Sequence, residues 1–279
     1  IEPGVEVLFS PNTALNVTSG PLIACGTATA PIVFKADSVS PSRGAWAGIS
    51  FPAGSEQSRI CHAVIESAVT GLNVGDTDYH EILTSTLRHN TGALQWGADW
   101  GRIAANEVYE NGSGIRLQKA WNNEIESNSI HDNDAFGIEF LSDNGTGGHF
   151  NTIANNDIYE NGGFGIGFVG ESATEPGGGS NTITGNRIFG QIAAAPYPGD
   201  GIYMLYGSNN QLLANEIYEN AGNGIWVEEQ TDLVVTGNRV YRNGVDGLAY
   251  ATGNTEAPSA LHSNVLCRNA AFNIDNDWT

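Results

Sequence analysis

Two carboxylic acids and two cations hold the candidate chemistry of this 279-residue chain: Glu139 and Asp200, Arg116 and Lys119. A carboxyl pair can break a glycosidic bond, one member protonating the leaving oxygen while the other activates water or attacks the sugar. Retention needs the pair about 5 Å apart and inversion about 6.5–9.5 Å. Lys119 and Arg116 fit another reaction. A base that removes the proton α to a uronate carboxyl, with a cation to neutralise that carboxyl, makes a lyase. Tyr203 and Trp226 could stack on the apolar face of a sugar, and Gln95 and Glu228 could hydrogen-bond its hydroxyls. These residues are scattered along the chain, so only the fold can assemble them.

The elements that must do so are repeats. Asn210 to Val227 reads Asn-x-Leu-x-x-Asn-x-Ile-Tyr-x-Asn, then Gly-Ile-x-Val. Gly-apolar pairs recur at Ile115, Ile138, Ile166, Ile202, Ile225 and Leu248, at intervals of 23, 28, 36, 23 and 23 residues. A second marker keeps the same phase, from Ile103-x-x-Asn106-x-Val108 to Leu261-x-x-Asn264-x-Leu266. Such self-similarity outranks any single motif in deciding a fold. Within a unit, apolar and polar residues alternate and Gly and Asn punctuate the runs, which reads as short strands without helical spacing. About 22 residues cannot bury a core alone, but stacked units pair each strand in parallel with its copy. The pattern predicts an all-β parallel β-helix, a solenoid of about ten coils and roughly 48 Å in length. The repeated asparagines fit turns, where they tolerate left-handed backbone and stack in amide ladders. The ladder should begin at Asn106, because Ala63 and Ser85 hold that place earlier.

Alternation then assembles the candidate site. With the isoleucines of the Gly-Ile pairs inward, the outward row reads Gln95, Arg116, Glu139, Gly167, Tyr203, Trp226 and Ala249. Lys119, Asp200, Glu228 and Glu229 fall nearby. Insertions at 142–150 and 170–180 follow the Gly-Ile strand and one at 191–199 precedes it, so loops are expected to wall this face on both sides. Glu139 and Asp200, two coils apart, would be separated by roughly 9–10 Å if both face the groove, an inverting distance. The structural alternative makes Arg116 and Glu139 an exposed ion pair worth under about 1 kcal/mol, with Tyr203 and Trp226 as ordinary strand formers.

The repeat Asn-x-Ile-x-x-Asn-x-Ile-Tyr-x-Asn-Gly-x-x-Gly-Ile resembles that of right-handed parallel β-helix proteins of the pectin-lyase-like superfamily. The opening IEPGVEVLF, LNVTSGPLIACGTATAPIVF and WAGISF resemble the first coils of secreted bacterial members. Together the two patterns cover nearly the whole chain. The resemblance implies a right-handed single-stranded helix, and glycan binding along the Gly-Ile sheet. It leaves the activity open, since the superfamily includes lyases, hydrolases, epimerases, tailspikes and non-catalytic surface proteins. The acidic calcium cluster with an adjacent arginine of pectate lyases and the Asp-Pro-His of alginate epimerases are absent from the sequence. An extracellular polysaccharide that is bound, and cleaved if the chain is a lyase or hydrolase, is one expectation; a non-catalytic structural or adhesive surface protein is the other.

Composition bounds the partners. Lys and Arg total 11 against 31 Asp and Glu, a formal charge of −20 that repels nucleic acid and anionic membranes. It also opposes acidic glycans unless a local basic patch or bridging calcium intervenes. No run of about twenty apolar residues exists to span a bilayer. The unbroken repeat predicts one domain over 1–279, with starting coils and loops at 1–59 and regular coils at 60–279. A secreted or cell-surface location follows from the resemblance and the polar, lysine-poor composition. Uncovered end coils could support self-association. Cys25 and Cys61 fall in consecutive coils, leaving a disulfide open, whereas Cys267 lies at the other end of the stack. Tyr109, His131, Tyr159, Phe189, Tyr218 and Tyr241 hold one equivalent position, read as lateral packing or as a second stacking platform. No metal site is assigned. His131-Asp132-Asn133-Asp134 resembles one only in letters, while Asp76-Thr77-Asp78 and Asp275-Asn276-Asp277 are weak calcium candidates.

Overall fold

The computed structural model describes residues 1–142, 147–172, 176–251 and 258–276, with the side chains of the last two excepted. Each coil supplies three short strands, and each strand pairs in parallel with its counterparts in neighbouring coils. The strand Arg187–Phe189, for example, lies between Asp157–Tyr159 and Glu216–Tyr218. Three long sheets result, of 11, 13 and 10 strands, and together they form a solenoid of about ten turns. The first holds the strands ending in the aromatic column, the second the Gly-Ile strands, and the third the strands that open each Asn-x-Ile unit. Inward residues of all three sheets build the core: Ile158 and Ile153 from the first and third sheets of one coil, and Ile166 with Phe168 from the second, are fully buried. Burying one such side chain stabilises by about 1.5–3 kcal/mol, and stacking repeats this in every coil.

The turns carry three buried amide ladders. One runs Asn106, Asn128, Asn156, Asn186, Asn215, Asn238, Asn264, each amide accepting from the backbone and side chain of its predecessor. Its first amide also accepts from the Ser85 backbone, the start that the sequence indicates. A second ladder runs from Asn90 to Asn269 with Gln191 replacing one asparagine, and a third from Asn123 to Asn210. The left-handed residue is not the ladder asparagine, as expected, but the one before it. Ser127, Asn155 and Ala214 have φ of 54°, 55° and 52° ahead of Asn128, Asn156 and Asn215. The bend is made one residue early, and the asparagine is selected for pairing its amide in a buried site.

Cys25 and Cys61 are register partners and form a disulfide between the first coils. The aromatic column from Tyr109 to Tyr241 stacks at 4.6–5.2 Å with nearly parallel planes, so its rings cover one another's faces. His131 is part of this stack and bonds Asp132, while Asp134 pairs with Arg43. That tetrapeptide's side chains are thus engaged structurally. Asp275 and Asn276 have undescribed side chains and Asp277 lies outside the described residues, so that candidate has no geometry.

Candidate functional site

Pairing in the second sheet puts the outward row in register. Gln95, Arg116, Glu139, Gly167, Tyr203, Trp226 and Ala249 are successive partners in seven strands. Each step is about 4.8 Å, so side chains two residues of the row apart still interact.

Strict alternation fails at the Gly-Ile pair. A Cβ on Gly165 would meet the Ile188 side chain, so Gly165 and Ile166 both face the interior. The preceding residue, Phe164, is thereby turned outward. Its ring stacks on Phe136 and on Tyr203, each at 5.7 Å, and covers Gly167, where any Cβ would strike it. The place of Gly167 in the row, between Glu139 and Tyr203, is therefore filled by an aromatic ring. Tyr197, from the insertion before the strand, sets its edge against Phe164 at 4.9 Å and Tyr203 at 5.4 Å. Beyond the strand's other end, the two later insertions return as Gly148–His149 and Gly178–Gly179, which pair with each other and with Gly207 and Ser208. Described loop segments thus border the row on both sides.

The candidate catalytic residues do not form the groupings that spacing suggests. Glu139 bonds the Arg116 guanidinium at 2.5 Å, and that guanidinium lies 5.1 Å from the Phe136 ring centre. The pair is not an exposed one: the Glu139 side chain is only 6% accessible against 38% for Arg116. Burial raises the Glu139 pKa, and the Arg116 charge opposes that only in part. Asp200 is buried in the row that contains Phe136 and Phe164, three strand positions from the Glu139 row. Its Oδ1 accepts from the Asn223 backbone at 2.6 Å and from Asn223 Nδ2 at 3.0 Å. Burial pushes its pKa up to about 6, with the Asn223 bonds opposing. Two coils and three positions separate the two backbones by roughly 12–14 Å, with Phe164 between, beyond the 9–10 Å expected. The 9–10 Å distance assumed that Asp200 shares the Glu139 row, and the pairing of Asp200 with Phe164 sets it three positions away. Arg116 and Lys119 also part. Arg116 borders a depression of about 210 Å³ with Thr70, Thr91 and Ser113. Lys119, on a left-handed turn at φ 54°, borders one of about 170 Å³ with Asn73, Asp76 and Gln118. Gln95 separates the two depressions and donates to Gln118 at 2.8 Å.

Tyr203 and Trp226 stand together, half-buried, stacked at 4.5 Å and 7°. Burial pushes the Tyr203 hydroxyl up to about 12, so it is a hydrogen-bonding phenol at any neutral pH. Phe164 takes the other face of Tyr203. Ala249, next in the row, is too small to stack on the far face of Trp226. Glu228 lies in the adjoining outward row after Leu141, Val169 and Leu205, and burial and Glu229 raise its pKa. Among the described residues no group of three or more His, Cys, Asp or Glu converges as metal ligands.

A family model for the right handed beta helix region matches residues 42–176 and 146–276. The chain belongs to this family. No curated protein matches it in sequence. Among solved structures, the right-handed β-helix chain is similar to the Dettilon tailspike protein, at 16% identity and TM-score 0.73, over 96% of this chain and 61% of that one. It is similar to the A-module of mannuronan C-5 epimerase AlgE4 from Azotobacter vinelandii, at 13% identity and TM-score 0.71, over 99% and 82%. Pectate lyase Pel9A matches at 15% identity and TM-score 0.52, over 95% and 72%. At these identities the likeness is one of fold.

Phe136, Phe164 and Tyr197 escaped the reading of the outward row. The repeated Phe-Gly-Ile at 136–138 and 164–166 was the available signal, since a glycine facing the core returns the residue before it to the outer side of the sheet, where Phe136 and Phe164 are buried beneath neighbouring side chains.

Proposed function

We propose that the chain binds an extracellular polysaccharide along the outward row of the second sheet, centred on Tyr203 and Trp226. The observation that carries this reading is a half-buried aromatic stack in which, among the described residues, no second ring stacks on the Trp226 indole, bordered by the Arg116–Glu139 pair, Glu228 and loop segments. An apolar platform beside a few fixed polar groups suits a pyranose, which has an apolar face and a rim of hydroxyls. The similar structures add weight: a tailspike, a mannuronan epimerase and a pectate lyase share the scaffold. A secreted or cell-surface location accords with the Cys25–Cys61 disulfide, since such bonds persist in oxidising compartments. A charge of −20 favours a neutral glycan, and a polyuronate would need calcium as a bridge.

Cleavage is the second reading, favoured by Glu139: a buried carboxyl with a raised pKa beside a groove is the form a general acid takes. The test is a panel of neutral and acidic polysaccharides, with and without calcium, scored for retention and for new chain ends. Binding that is lost in Trp226→Ala with the fold intact supports the groove. Chain ends that vanish in Glu139→Gln add an active site, either a hydrolase or, if unsaturated products absorb in the ultraviolet, a lyase. Silence across the panel refutes glycan binding and leaves a structural or adhesive surface protein.

A further inference from the structure

A second set of aromatics lies outside the groove, on the turn between the second and third sheets. Tyr79, Trp100, Trp121 and Phe150 are 53%, 56%, 38% and 55% exposed, unlike the buried rings of the core. They are stacked coil upon coil: Tyr79 N–H donates to Asp99, Trp100 N–H to Trp121, and Phe150 N–H to Gly179 in the next turn. The Trp121 ring meets His149 at 5.2 Å and Phe150 at 6.3 Å, both edge-on. Among the described residues no ring stacks on Tyr79 or Trp100, in contrast to the closed column from Tyr109 to Tyr241.

Three of the four occupy left-handed backbone: Tyr79 at φ 60°, Trp100 at 56° and Phe150 at 56°. Bulky side chains are disfavoured there, and Gly or Asn is the ordinary choice. Asn122 fills the equivalent place one coil after Trp100, at φ 57°. The turn conformation therefore supplies no reason for an exposed indole at 100. Between Tyr79 and Trp100 lies a depression of about 300 Å³ whose polar lining is Glu81, Arg102, Asn122 and Glu124. Arg102 is held by Glu126 at 2.5 Å and Glu124 at 3.8 Å, and Glu81 by Arg59 at 3.1 Å, so these groups are fixed in place.

We infer that this edge is a second glycan-binding site, taking a neutral polysaccharide laid along the coil axis with its rings against Tyr79, Trp100 and the Trp121–Phe150 pair. It rests on its own residues and does not require the groove. Uncovered aromatic faces repeated at the coil step, with carboxylates and a guanidinium beside them, suit a chain of pyranoses. Asp78, Asp99, Glu81, Glu124 and Glu126 crowd the edge, so a polyuronate would be repelled. The −20 charge likewise opposes a second copy of this chain as the occupant.

The experiment follows the indole N–H signals of the ¹⁵N-labelled protein during titration with cellohexaose, xylohexaose and mannohexaose, with hexagalacturonate as the acidic control. At least one neutral oligosaccharide should move the Trp100 and Trp121 signals, leave the buried Trp46 and Trp96 unmoved, and do so equally in Trp226→Ala. Trp100→Asn should weaken that binding at least tenfold while its Tm stays level or rises, because asparagine suits the left-handed turn. Three results overturn the inference: no neutral probe moves Trp100, hexagalacturonate alone moves it, or it responds only to protein concentration, as self-association would require. Movement of Trp226 without Trp100 leaves the groove standing and this edge refuted; the converse refutes the groove alone.

Discussion

Replacing Asn156 with alanine tests whether the amide ladders hold the coils together. The Asn156 amide makes four bonds, all at 2.9 Å: it accepts from the Asn128 N–H and Nδ2, and donates to the Ile125 carbonyl and Asn186 Oδ1. In Asn156→Ala the Asn186 amide keeps the backbone donor of residue 156, and Asn128 Nδ2 keeps its bond to the Ile103 carbonyl. What remains stranded is one backbone N–H and one amide hydrogen, both buried. Each orphaned donor costs about 1–3 kcal/mol, which sums to about 2–6 kcal/mol. Asn264→Ala provides the internal control. Asn264 ends its ladder and is partly exposed, so water can replace the bonds it accepts from Asn238, and the loss should stay under about 1.5 kcal/mol. Urea unfolding should be read beside hydrogen exchange of residues 125–131 and 153–159, because long repeat arrays can depart from two-state behaviour. The reasoning is refuted if Asn156→Ala loses less than about 1 kcal/mol, or no more than Asn264→Ala.

Three further outcomes concern buried charge. Asp200 has a folded pKa of about 6 against an ordinary 3.8, so the fold favours its protonated form and stability declines as pH rises from about 4 through 6. Asp200→Asn keeps the acceptor for Asn223, so it should gain about 1–3 kcal/mol at pH 8 and nothing near pH 3.5; urea midpoints at the two pH values decide. His80 has the opposite sign. It is buried against Phe51 and Trp96, with Nε2 on Thr77, and burial lowers its pKa, so its stability is complete above 6.5 and is lost as pH falls below that. His80→Gln should flatten the pH dependence of Tm between 6.5 and 4.5, and an unchanged slope counts against the assignment. Arg116→Met should strand the Glu139 carboxylate and destabilise by about 1–3 kcal/mol at pH 7, with recovery as pH falls and Glu139, whose pKa burial raises, takes up a proton; a loss that does not change with pH would show that packing on Phe136 is the cause.

The solenoid and the outward row were legible because both rest on periodicity. Ile153, Ile158 and Ile166 are inward in the structure as their spacing indicates, and Arg116 aligns with Glu139 because the units stack in register. The departures come from physics that a period does not encode. One side-chain-free position at Gly165 turned Phe164 outward and covered Gly167 with its ring. Whether a ring offers its face or spends it on a neighbour is likewise absent from spacing: among the described residues rings stack on both faces of Tyr203 and on one face of Trp226. The exposed aromatics at 79, 100 and 150 carry no repeat signature, since other coils fill the same turn position with Asn122, Ser180, Asn209 and Asp232. By contrast, the three amide ladders were in view, since Asn210, Asn215 and Asn220 of the quoted unit belong to one ladder each.

The amide ladders also bear on how such a chain changes size. An internal asparagine presents its backbone N–H and one amide hydrogen forward, and its amide oxygen and other amide hydrogen backward, the same faces that its neighbour presents. A coil inserted between Asn128 and Asn156 would therefore meet two surfaces already matched to it, and its removal would rejoin a matched pair. Length in this architecture is close to a free variable, added or deleted in whole turns without redesign of the interior. A ligand-binding face on such a scaffold can be lengthened by duplication alone, one rung at a time.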